Sequence, residues 1–205
     1  MSYFQTSVGK TPVICGGFSE TIIVTSKCYA FNRHTQSWVV YHDLNEQRFG
    51  PSSVILPCDG TMMIAGGANK PDTEILVRNH GWKLGSPLPE NKVLGCMLAI
   101  NECEVAYIGG LAQDSVATTS IFIYNCKTKD WRIAEETLSI VMLLMTRKIF
   151  FVSKVISFLD TPRADHACTL LKNPEGDRPT VVIFGGRLFS NSNTPDLGRA
   201  LTHIC

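Results

Sequence analysis

Several things this chain lacks narrow it first. None of its eight cysteines stands in a C-x-x-C pair, so the ligand spacing of small zinc sites is missing. Neither charge dominates, with 19 basic residues against 18 acidic ones. No basic cluster stands out, and nothing in the electrostatics asks for a nucleic-acid partner. The opening Met1-Ser2-Tyr3-Phe4-Gln5-Thr6 has no basic stretch followed by an apolar one, so no secretory leader is visible. The five histidines (His34, His42, His80, His166, His203) accompany no G-x-S-x-G elbow. Neither G-x-x-x-x-G-K nor G-x-G-x-x-G occurs in a phosphate-binding context.

What the chain does have is a repeated unit. Four apolar runs end in a glycine pair: Val13-Ile14-Cys15-Gly16-Gly17, Met62-Met63-Ile64-Ala65-Gly66-Gly67, Val105-Ala106-Tyr107-Ile108-Gly109-Gly110 and Val181-Val182-Ile183-Phe184-Gly185-Gly186. The first three pairs are spaced by 50 and then 43 residues. Periods of that size belong to propeller blades or solenoids. Phe31-Asn32-Arg33-His34-Thr35-Gln36-Ser37-Trp38 and Tyr124-Asn125-Cys126-Lys127-Thr128-Lys129-Asp130-Trp131 share an aromatic-Asn-x-x-Thr-x-x-Trp pattern. Trp82 ends a shorter version, from Ile75, that has lost the threonine turn. Asn and Thr there read as turn chemistry, each side chain bonding local backbone. Cys58-Asp59-Gly60-Thr61 reads as a hairpin turn between Ser53–Leu56 and Met62–Ala65.

This pattern resembles the kelch repeat: an apolar strand, Gly-Gly, a strand ending in Tyr or Phe, a polar turn, then Trp. The resemblance implies an all-β propeller of four-stranded antiparallel blades. The blades fall at about 12–46, 47–90, 91–137 and 161–205. Gly16, Gly17, Gly66, Gly67, Gly109, Gly110, Gly185 and Gly186 then seal strands beside a crowded hub. Phe31, Trp38, Trp82, Tyr124 and Trp131 supply apolar area between blades. The chain is expected to open on a second strand, Val13–Cys15, with no first strand before it, and to stop soon after Gly186. On that reading it is a piece of a longer, unclosed ring.

The repeat breaks at 138–159, LSIVMLLMTRKIFFVSKVISFL. Its length suits a membrane span, but Arg147, Lys148 and Lys154 would each cost on the order of 3 kcal/mol there. The reading is therefore an insertion at a blade junction, as a surface helix or strand or a retained intron, with the retained intron favoured.

Cys15 and Cys28 are expected as buried free thiols in strands. Cys96 and Cys168 fall at similar places on the first strands of successive blades, an arrangement the resemblance links to some extracellular kelch proteins, so a disulfide stays open there. His166-Ala167-Cys168 and His203-Ile204-Cys205 are weak metal candidates, and no cofactor is expected. Asp165-His166 and Arg48 are read as blade-starting polar residues bonding a neighbouring blade, and Glu74 as solvated or blade-bridging. For function, the resemblance implies a non-catalytic scaffold binding a protein of unknown identity, with neither nucleic acid nor membrane as partner. The alternatives are an extracellular or membrane-tethered adhesion-type protein, and a galactose-oxidase-like or sugar-modifying propeller enzyme. The compartment, cytoplasmic or extracellular, stays open.

Overall fold

The computed structural model describes residues 4–8, 11–67, 72–77, 80–134, 158–171, 180–187 and 202–204. Among them there is no helix, and every strand pairing is antiparallel. Sheet I holds β1 (Phe4–Val8), β2 (Thr11–Cys15), β3 (Cys28–Asn32) and β4 (Ser37–Val40). Sheet II holds β5 (Ser52–Ile55), β6 (Met62–Ala65), β7 (Thr73–Val77) and β8 (Gly81–Gly85). Sheet III holds β9 (Cys96–Ala99), β10 (Glu104–Ile108), β11 (Thr118–Asn125) and β12 (Asp130–Ile133). Sheet IV holds β13 (Phe158–Leu171), β14 (Thr180–Arg187) and β15 (Thr202–Ile204).

Each sheet is an up-and-down meander in chain order. Sheets III and IV also touch edgewise, where Thr118 and Ser120 of β11 meet Arg163 and Phe158 of β13 across a register shift. The four units stack in sequence and do not close into a ring among the described residues. The fold is thus all-β and propeller-like, an open array of antiparallel sheets.

One expectation is corrected at the start of the chain. β1 precedes β2 and pairs with it from Phe4↔Cys15 to Val8↔Thr11, so sheet I has a first strand. Its sequence, FQTSV, carries too little apolar periodicity to announce a strand, and pairing with β2 decides the matter. The apolar insertion 138–159 lies outside the described residues except for Phe158 and Leu159, which begin β13. No described helix is long and apolar enough to cross a membrane.

The core lies between sheets. Successive residues of a strand point to opposite faces, and both faces of the inner strands are covered. On β6, Met62 and Ile64 pack toward sheet I with Val13, Cys15, Cys28 and Trp82, while Met63 and Ala65 pack toward sheet III. On β10, Val105 and Tyr107 face sheet II, whereas Ala106 and Ile108 face Ile183 of sheet IV. That double burial explains why these strands read as continuous apolar runs and not as alternations.

Candidate functional site

The sequence-marked residues converge on the seams where one sheet meets the next. Both members of all four glycine pairs have positive φ, from 63° at Gly109 to 91° at Gly110 and Gly186. This is the left-handed region that side chains disfavour. The space is closed as well. A Cβ on Gly16 would lie 2.6 Å from the Arg48 carbonyl oxygen, and one on Gly66 would run into the Lys92 carbonyl. The second glycine of each of these pairs donates its N–H to that same carbonyl, Gly17 to Arg48 at 2.7 Å and Gly67 to Lys92 at 2.8 Å. The glycine pair is therefore a socket for the strand-to-strand linker of the following sheet.

The linkers repeat too. Leu94 donates its N–H to the Gly50 carbonyl, and Asp165 donates to the Leu94 carbonyl, both at 2.7 Å. Gly50, Leu94 and Asp165 all sit near φ 58°. A chain of backbone bonds thus passes from sheet to sheet near the inner strands, through Gly50 and through two non-glycine residues, Leu94 and Asp165, held in an uncommon conformation.

Arg48 and Lys92 occupy one place in this repeat, four residues before Ser52 and Cys96. Those two pair with Ala65 and Ile108, the residues that precede the glycine pairs. Both cationic side chains are fully buried. Arg48 donates Nε to Glu74 Oε1 at 3.1 Å and Nη1 to the carbonyls of Gly66 and Asp72. Glu74 also accepts from the Asn45 backbone and side chain at 2.7 and 2.8 Å and from the Glu46 backbone at 3.3 Å. Arg48 does not begin a strand, as the sequence suggests; it lies in the linker between β4 and β5. Glu74 is blade-bridging and dry, not solvated. In the next sheet Phe122 stands where Glu74 stands, since Tyr107↔Phe122 repeats Ile64↔Glu74. Lys92 places Nζ 5.7 Å from that ring and bonds Glu90 and Thr118.

The tryptophans follow a rule of their own. Trp82 donates Nε1 to the His42 carbonyl at 2.8 Å, and Trp131 donates to the Ser86 carbonyl at 3.1 Å. Each acceptor lies four residues beyond the tryptophan of the preceding sheet. Trp82 is buried, Trp131 half-buried, and Trp38 is 46% exposed. Phe31 and Tyr124 meet Trp38 and Trp131 edge-on or tilted at 5.3 and 5.2 Å. The turns before them are closed by Asn32 and Asn125, whose Oδ1 atoms accept from the backbone of His34 and Thr35, and of Lys127 and Thr128.

The cysteines bring a second correction. Cys15 and Cys28 are not free thiols: they face each other on β2 and β3, with Cα atoms 4.1 Å apart, and form a disulfide. Adjacent register places the sulfurs within bonding reach, which a sequence without strand register cannot reveal. A second disulfide joins Cys96 to Cys168 between sheets III and IV. Among the described residues, no group of three or more His, Cys, Asp or Glu side chains is placed to hold a metal. His166 is buried on β13, against Gly186, whose Cβ would fall 2.8 Å from that of His166.

Compared with known protein families and with curated proteins, the chain matches none.

Proposed function

We propose that this chain is a kelch-repeat propeller module working as a non-catalytic scaffold for protein partners. The observation that carries the reading is the recurrence at the seams: glycine pairs in the left-handed region capped by the next linker, with an indole bonded to a fixed carbonyl of the preceding sheet. The buried Arg48, Glu74 and Lys92 are engaged in that packing, and the connecting loops of such a fold can vary. Metal analysis with a peroxide-release assay on galactose tests the choice. No stoichiometric copper and no activity are expected, and copper with turnover would overturn the scaffold reading. Loop substitutions confined to one rim should abolish partner retention while melting stays unchanged.

The two disulfides favour one version of this function, an extracellular or membrane-tethered adhesion-type scaffold. Such bonds persist in oxidising compartments and are rare in the cytosol. Thiol mapping of the native protein before and after reduction decides between them: eight free thiols would assign it to the cytosol.

A further inference from the structure

Strand register lets the face that each sheet turns toward its predecessor be followed through the array, because alternate residues of a strand share a face. In sheet II that face carries Ile64, Glu74, Leu76 and Trp82, all buried. In sheet III the same positions are Tyr107, Phe122 and Tyr124, all buried, and the half-buried Trp131. In sheet I they are Ile14, Tyr29, Phe31 and Trp38. There Ile14 and Phe31 are only half-buried, and Tyr29 and Trp38 are exposed. All four are apolar or aromatic and none is charged. The face that makes a seam in sheets II and III thus lies open at the head of the array.

The other end shows the complementary gap. On β9, Cys96 and Leu98 pair with Ile108 and Ala106 and are buried in the cluster that sheet IV completes. On β13 the equivalent residues are Ala167 and Thr169, which pair with Phe184 and Val182 at the same distances from the glycine pair. Both are exposed. Among the described residues no sheet follows sheet IV.

We infer that the open face of sheet I docks on the outward face of sheet IV of a second copy, so that the stack runs on from one molecule into the next. The occupant follows from what covers the equivalent faces: in each seam of the array it is a sheet of this same chain. The surfaces are compatible. The head offers aliphatic and aromatic side chains, and the tail meets them with a small and a branched one, so burial gains apolar contact and no charge on these positions has to be desolvated. A contact between two different patches either closes a ring or grows without end. Two copies double the four sheets and reach the upper end of the blade numbers with which propellers close. Association therefore stops at a dimer in which each copy lends its head to the other's tail.

The test is sedimentation equilibrium of the full 205-residue chain with one variant for each end. Trp38→Arg blocks the head and Thr169→Arg blocks the tail, both at exposed positions. Wild type is expected as a monomer–dimer equilibrium, and each variant alone should dissociate at least about tenfold more readily, a loss of about 1.4 kcal/mol per tenfold. Mixing the two variants should restore a one-to-one dimer, because one intact head then meets one intact tail. If Trp38→Arg fails to fold, Tyr29→Arg blocks the same face from β3 and takes its place. A Thr169→Arg variant that dimerises as tightly as wild type would overturn the inference, since the heads would then be meeting each other. So would a mixture that stays monomeric, or a wild type that is monomeric throughout. Wild-type species that grow beyond the dimer would overturn the closed pair.

Discussion

Arg48 and Lys92 hold a cation out of water in two ways. Arg48 meets a carboxylate, Glu74, and Lys92 meets an aromatic face, Phe122, with Glu90 and Thr118 closing its ammonium. Breaking a buried pair leaves the remaining charge without its counterion, which typically costs about 3–5 kcal/mol. Arg48→Met is expected to lose that much in urea unfolding. Adding Glu74→Leu should recover most of it, because neither charge is then buried. A single-variant loss below about 1 kcal/mol would mean that the seam does not depend on the pair. Glu104 allows a gentler test. Burial acts to raise its carboxyl, but hydrogen bonds from Asn101 and Arg132 and the Arg132 charge outweigh it, and the net shift is below the ordinary 4.5. A depressed acid contributes stability above its unfolded value and loses it as pH falls through the folded one. The acid limb below pH 4.5 should therefore flatten in Glu104→Gln, by under about 1 kcal/mol because Arg132 is largely exposed. Arg48 and Glu74 are each visible in the sequence as polar residues among apolar ones. Their partnership is not, because 26 residues separate them and only the stacking of sheets brings them together.

Among elements, the glycine pairs are the feature most legible from sequence, since a residue without a Cβ at the end of an apolar run has few other uses. Their cost structure needs coordinates. Gly66 and Gly185 share nearly the same φ, 69° and 65°, but a Cβ on Gly66 strikes the Lys92 backbone while one on Gly185 meets nothing within 4 Å. Gly185→Ala should cost about 1 kcal/mol from the left-handed conformation alone. Gly66→Ala should cost more than about 3 kcal/mol, because backbone at the seam must also move. Paired thermal melts would show it, and equal losses would remove the linker-socket account. The disulfides were less legible, because connectivity follows from register and not from spacing. Cys15–Cys28 closes 13 residues and Cys96–Cys168 closes 72. On chain entropy these stabilise by about 3 and about 4.5 kcal/mol. Cys168→Ala should therefore destabilise more than Cys28→Ala in the same reducing-agent-free buffer. The reverse order would show that strain or residual unfolded structure governs them.

For the molecule as a whole, the stacking rule identifies a surface that waits for a neighbour. Trp82 and Trp131 each reach back to a carbonyl of the sheet before, and each loses most or part of its exposure in doing so. Trp38 occupies the same place on sheet I, but it lies half in solvent beside Val39 and Val40, which are 42% and 74% exposed. All four residues of β4 are exposed. The sequence expectation sets Trp38 beside Trp82 and Trp131 as apolar area between blades, and the structure leaves its indole 46% exposed. An apolar flank of this sort, on a strand with an open edge, is a template for association. The 205-residue chain should therefore self-associate, with a sedimentation coefficient that climbs with concentration. Val40→Lys and Trp38→Arg should each shift it toward the monomer while leaving the melting transition in place, because neither lies in a seam between described sheets. Trp82→Arg, by contrast, should unfold the chain, since its indole is enclosed by sheets I and II. A monodisperse monomer with a single cooperative melt, unchanged by Trp38→Arg, would mean that the open flank satisfies itself and that the seam rule ends at Trp82.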